Sequence, residues 1–205
     1  MLITNFGDHK TALTEYLRHS RWSADYNLAT SFFEASINRR LSVRPMETVV
    51  NLTTTNGAVI LPDDYMVWRA LIFTGATPFE ELDYVHPAYL DTTSNVEGGN
   101  PKIFTIEASL LKTRPINDTV NIFELHYFGT IPTITGNDLD TNWLLTEHPD
   151  AYLYGTLVEL FALQRNVEGA TLYKQRRDEV LQEIISEYAD GVGATSPLVR
   201  SDGYF

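Results

Sequence analysis

The sequence of 205 residues contains no cysteine. Disulfides, thiolate nucleophiles and Cys-ligated zinc are therefore excluded, and the fold has to hold without covalent staples. Cations are also scarce, with 15 Lys and Arg against 27 Asp and Glu and a net charge of -12. That balance argues against a DNA-binding surface, because sequence-independent affinity for nucleic acid comes from neutralising phosphates. No run approaches the roughly 20 apolar residues that span a bilayer. The opening Met1-Leu2-Ile3-Thr4-Asn5-Phe6 has neither the basic stretch nor the apolar stretch of a signal peptide. We expect no membrane association.

The usual signatures of catalysis are missing too. The five histidines, His9, His19, His86, His126 and His148, include no pair four apart on a helix, so no HExxH-type zinc site is present. There is no Gly-x-Ser-x-Gly elbow. Gly98-Gly99-Asn100-Pro101 lacks the lysine and hydroxyl of a phosphate loop. Asp138-Leu139-Asp140-Thr141-Asn142 begins like a calcium loop, but Trp143 stands where the turn glycine belongs and Pro149 where the bidentate glutamate belongs. His148, flanked by Glu147 and Asp150, can be read as an acid–base cluster or as a turn and helix start. The sequence is expected to carry no catalytic, cofactor-binding or metal-ligating residue.

What remains is an ordinary globular composition, 43% hydrophobic with 12% aromatic residues. Helical spacing opens the chain. A short helix over 8–20 takes Asp8 as N-cap, and a second from Ser23 places Leu28, Ala29, Phe32, Phe33 and Ile37 on one apolar face, with Arg39 and Arg40 in its last turn. Period two follows. Strands are expected at 48–53, 58–60, 69–74, 80–85, 102–106, 110–113 and 120–128, with Asn56-Gly57 as a hairpin turn and Asp63-Asp64 capping one helical turn. Helix then returns. Pro149 sits in a first turn, Tyr152, Leu153, Leu157, Leu160 and Phe161 form a broad apolar face, and a longer helix runs to about Ala189. A short connection between these two predicts an antiparallel helix hairpin. The fold class is α+β: a mainly helical bundle, residues 1–44 and 143–190, with a β-rich insertion of short antiparallel strands at 45–142 and an extended tail at 191–205. Charge is uneven, since residues 42–142 carry 13 acidic and 5 basic groups.

One stretch is specific. Asn142-Trp143-Leu144-Leu145-Thr146-Glu147-His148-Pro149-Asp150-Ala151-Tyr152-Leu153-Tyr154-Gly155-Thr156-Leu157-Val158-Glu159 resembles the signature of tailed-bacteriophage head-to-tail adaptor (connector) proteins. Glu34-Ala35-Ser36-Ile37-Asn38-Arg39-Arg40-Leu41, Arg44-Pro45-Met46-Glu47 and Leu61-Pro62-Asp63-Asp64-Tyr65 match in the same order, so the resemblance covers roughly 10–190. It departs at Glu107-Ala108-Ser109-Leu110, where the family often has a glycine turn.

The resemblance implies a virion structural protein at the head–tail junction, assembled in the host cytoplasm and without enzymatic activity. It implies a homo-oligomeric ring, usually of twelve copies, that attaches to the portal protein and presents a platform for tail proteins of the nozzle, tube or fibre. DNA would pass through its channel without specific binding. The signature residues Trp143, His148, Pro149, Tyr152, Tyr154 and Gly155 would lie in the bundle core. A C-terminal extension reaches the portal in similar proteins, which makes Leu198, Val199, Arg200, Tyr204 and Phe205 the candidate portal contacts. Two readings stay open beside this one: another ring-forming tail protein, such as a tail-tube or nozzle component, and a hydrolase acting through His148.

Overall fold

A computed structural model describes residues 3–54, 56–92, 99–116 and 120–190. The expected tail at 191–205 lies outside them. The chain is α+β with largely antiparallel sheets and divides into two compact units. One comprises the described residues of Met1–Pro45 and Ile131–Phe205, and the other is Met46–Thr130.

In the first unit α1 (Phe6–Leu17), α2 (Tyr26–Ile37), α4 (Trp143–Glu147) and α6 (Val167–Asp190) all pack on α5 (Pro149–Leu163). The composition of α5 explains its central place. Ala151, Tyr152, Gly155, Thr156, Leu157, Val158 and Leu160 are buried on several sides of it, so no single stripe would suffice. Pro149 occupies the first turn, where a missing N–H costs nothing. The chain then reverses through Arg165, at φ 59°, and Asn166 Oδ1 accepts from the Gly169 N–H at 3.0 Å to start α6.

Three local expectations for this unit change. The cap of α1 is Asn5, whose side chain accepts from the Asp8 N–H, rather than Asp8 itself. Residues Ser23–Asp25 form a 3-10 turn before α2, and Arg39 and Arg40 lie beyond its end at Ile37. The buried face of α2 is Tyr26, Ala29, Thr30, Phe33, Glu34 and Ile37, which leaves Leu28 and Phe32 about half exposed.

The second unit is two four-stranded sheets sharing one core. The first has the order β1 (Glu47–Thr54), β8 (Asn121–Gly129), β3 (Tyr65–Phe73), β4 (Glu80–Glu81). The second has the order β2 (Ala58–Ile60), β7 (Leu110–Arg114), β6 (Ile103–Glu107), β5 (Asp83–Tyr84). A short helix α3 (Pro87–Thr92) stands between β5 and β6 in the chain. Alternation writes the core directly: β8 buries Asn121, Phe123, Leu125, Tyr127 and Gly129 and turns Ile122, Glu124, His126 and Phe128 outward. Leu71, Phe73, Phe123 and Leu125 from one sheet meet Phe104 and Leu111 from the other.

Pairing differs from the expectation in several places. β1 and β2 do not form a hairpin. The Asn56-Gly57 turn, with φ of 57° and 69°, carries the chain from one sheet to the other, and the Gly57 carbonyl accepts from the Thr113 N–H at 2.7 Å. Asp63-Asp64 is a turn leading straight into β3, because Asp64 is held to β8 through Tyr127 and Thr130. The segment expected as one strand at 80–85 is two, split by the buried Leu82, with β5 parallel to β6. The departure at Glu107-Ala108-Ser109-Leu110 is still a two-residue hairpin turn, with Ala108 in the left-handed region at φ 53°.

A Cβ at positive φ costs about 1–2 kcal/mol that glycine avoids. Ala108→Gly is therefore expected to raise stability by about 1 kcal/mol, read as a shift of the denaturant midpoint; an unchanged midpoint would remove the strained turn.

Candidate functional site

The signature segment is built around a buried polar network within the helical unit. Glu34 lies on the buried face of α2 and is 3% exposed. Its Oε1 accepts from the Tyr152 hydroxyl at 2.8 Å and from the Ile134 N–H at 3.1 Å. The same hydroxyl accepts from Asn142 Nδ2 at 2.5 Å, and that amide also donates to the Pro132 carbonyl at 2.8 Å. Asn142 Oδ1 accepts from the Leu145 N–H at 2.9 Å and so caps α4. One turn along α2, Asn38 Oδ1 accepts from the Ile131 N–H at 2.9 Å. Glu34 on α2 and Asn38 at its C-cap thus lay the chain from 131 to 134 along that helix, and Asn142 ties Pro132 to Tyr152 of α5.

Burial governs the protonation of this network. It pushes the Glu34 carboxyl above its ordinary value, against the opposing hydrogen bonds from Tyr152 and Ile134. Burial and the neighbouring Glu34 raise the Tyr152 hydroxyl far above the range in which tyrosine ionises. Beside it His9 is fully buried, with Phe6 stacked at 5.9 Å and Tyr152 edge-on at 5.7 Å. Its Nε2 lies 3.2 Å from Thr156 Oγ1, while Nδ1 has no partner. Loss of solvation pushes this imidazole down to about 3.

The remaining signature residues divide by environment. Gly155 is obligatory in size, since a Cβ there would stand 2.1 Å from the Phe33 ring. Tyr154 stacks on Tyr173 of α6 at 6.4 Å. Trp143 and His148 are partly buried and meet Tyr188 edge-on at 6.2 Å and 6.0 Å. Glu147 accepts from the Tyr188 hydroxyl at 2.9 Å, and Asp150 accepts from the Ala151 N–H at 3.0 Å. Neither carboxylate has a hydrogen bond to the His148 imidazole, so the geometry provides no acid–base dyad. Among the described residues no group of three or more His, Asp or Glu could hold a metal ion. Leu198, Val199, Arg200, Tyr204 and Phe205 lie outside the described residues.

Surfaces complete the inventory. Leu28 and Phe32 on α2, Tyr16 on α1 and Leu172 on α6 are exposed in the helical unit. In the sheet unit a shallow concavity of about 320 Å³ on the outer face of the first sheet is lined by Glu47, Val49, Arg69, Ala70 and His126. Its polar groups are already engaged: Arg69 pairs with Glu47 and covers the Phe128 ring, and His126 Nε2 lies 2.7 Å from Glu124 Oε1. Glu34, the hub of the helical unit, is the residue that sequence reasoning passed over. The available signal was an acid in the middle of an apolar helix face, between Phe33 and Ile37.

Residues 4–201 match the sequence profile of a phage adaptor-type protein, the SU10 adaptor protein. The chain belongs to the SU10 adaptor protein family. No curated protein matches the chain.

Two outcomes are expected from the network. Tyr152→Phe should cost about 1–3 kcal/mol, because Glu34 loses a donor in a buried site; a chemical denaturation curve that overlays wild type would show the bond to be idle. Folded His9 stays neutral down to about pH 3, whereas an unfolded imidazole binds a proton below about 6.5, so stability should fall as pH drops through that window, by at most about 1.4 kcal/mol per unit. Glu34 acts oppositely, stabilising below the ordinary carboxyl value and losing that contribution as pH rises through its raised one. The difference between wild type and His9→Gln isolates the histidine contribution, and its slope between pH 7 and 5 should be clearly positive.

Proposed function

We propose that this protein is a head-to-tail adaptor: a closed ring of identical copies, twelve by the usual count of such assemblies, seated on the portal protein at the junction of head and tail. The observation that carries this reading is the family match across residues 4–201. The helical unit would be a bundle that supplies the ring contacts. Its exposed Tyr16, Leu28, Phe32 and Leu172 support this, since a heterologous interface repeated about a rotation axis sets one patch against a different patch of the next copy. The sheet unit would face tail proteins of the nozzle, tube or fibre. Residues 191–205 would form an extended arm that reaches the portal, with Leu198, Val199, Arg200, Tyr204 and Phe205 as its contacts.

The net charge of -12 suits a channel through which DNA slides, because like charge repels the backbone and leaves no specific site. No step of this function needs catalysis or a cofactor.

Mixed with its portal, the protein should co-purify at equal stoichiometry, with the mass of the complex giving the ring size. Deleting residues 194–205 should weaken that attachment at least tenfold while leaving the far-ultraviolet circular dichroism and melting of the body unchanged. Equal attachment by the truncated chain would sink the arm, and failure of the full chain to join the portal would sink the adaptor reading.

A further inference from the structure

The free edge of β1 is the feature that the adaptor reading leaves unexplained. β1 pairs with β8 along its whole length, from Glu47↔Phe128 to Thr54↔Asn121, and among the described residues has no strand on its other side. Antiparallel pairs alternate between residues that exchange backbone bonds and residues whose N–H and C=O point away. The Ile122 carbonyl accepts from the Thr74 N–H at 3.2 Å, so even-numbered residues of β8 turn towards β3 and odd-numbered ones towards β1. On β1 the residues bonded to β8 are therefore Thr48, Val50, Leu52 and Thr54. The N–H and C=O of Glu47, Val49, Asn51 and Thr53 face away, and they have no partner among the described residues.

This edge also lacks the usual protection. It contains no proline, no lysine and no bulge, and its one charge, Glu47, is already paired with Arg69. Val49 is 54% exposed in a strand otherwise rich in threonine and valine. Such an edge is a template for another strand.

We propose that the outer edge of β1 is a strand-addition site that takes an extended, acid-free segment of a non-identical partner protein. Two arguments exclude a second copy of this chain. Antiparallel pairing of β1 with its own copy is two-fold and closes a dimer, whereas a ring needs a heterologous contact; this argument rests on the adaptor reading. Independently of it, the other edge strands among the described residues, β2, β4 and β5, are three, two and two residues long and cannot satisfy β1 along its length, and the part of β3 that β4 leaves uncovered is broken by register shifts between Tyr65 and Val67 and between Trp68 and Ala70. Charge supplies the chemistry. The sheet unit, Met46–Thr130, holds 11 acidic and 4 basic groups, so a neutral or basic segment is favoured and a carboxylate-bearing one repelled. Apolar side chains of the incoming strand would lie beside Val50 and Leu52, and β-branched or polar ones beside Val49 and Asn51.

Amide hydrogen exchange tests the site in three samples: the chain alone, the chain bound to purified portal, and complete purified particles. In the chain alone the amides of Val49, Asn51 and Thr53 should exchange at least a hundredfold faster than those of Val50, Leu52 and Thr54. In complete particles the first set should slow to match the second. Protection already present in the chain alone would assign the edge to a second copy, and exposure persisting in particles would leave it vacant; either result overturns the proposal. Incorporation, measured separately as the mass of the portal complex, reports on the adaptor reading, so the two failures are distinct. A variant completes the test. Val49→Pro removes an outward N–H without breaking a bond to β8, so the isolated protein should melt as wild type while tail attachment falls at least tenfold. If Val49→Pro unfolds the chain, Asn51→Lys replaces it as an edge-blocking charge with the same expected loss; full attachment by a folded variant refutes the site.

Discussion

A carboxylate buried on the inner face of α2 organises the helical unit. Glu34 accepts from the Tyr152 hydroxyl and the Ile134 N–H, and through Tyr152 it reaches Asn142, so one acid joins three stretches of chain far apart in sequence. Removing an acid from water is costly, and an apolar core could have filled the same volume. What hydrogen bonds add is direction, since a backbone N–H at 134 has to meet one oxygen and a phenol has to meet the same one. The return of the chain from the sheet unit is thereby fixed in register, with Asn38 and Ile131 one turn further along.

Close packing enforces the same register from the other side. Gly155 of α5 lies against the Phe33 ring with no room for a methyl group. Phe33 precedes Glu34 on α2, and Tyr152 precedes Gly155 by nearly one turn of α5. Shape and hydrogen bonding therefore select one relative placement of the two helices.

Much of the element order was legible in the amino-acid pattern. Period-two runs marked the strands of the sheet unit, and the apolar breadth of α5 announced that it would be central. The pairing of those strands was not legible, because β1 meets β8 across some seventy intervening residues and nothing local encodes the choice. Asn56-Gly57 misled for the same reason: the turn chemistry is right, but its two flanking strands find better partners in different sheets. The 3.6-residue repeat of α2 admitted Leu28 and Phe32 to its apolar face, and only the packing against α5 shows which side is covered. Of the site, the Asn142–Glu159 segment stood out in the sequence. The partner that gives it meaning, Glu34, did not, because a single acid within a helix is ordinarily solvated.

The place of β8 in its sheet has a consequence for biosynthesis. It is the last strand of its unit to be made, yet it lies between β1 and β3 and is hydrogen-bonded to both. While the polypeptide is still growing, β1 has no partner strand and β3 only the two-residue β4 until Gly129 has left the ribosome. Cooperative assembly of that sheet therefore waits for translation to pass it.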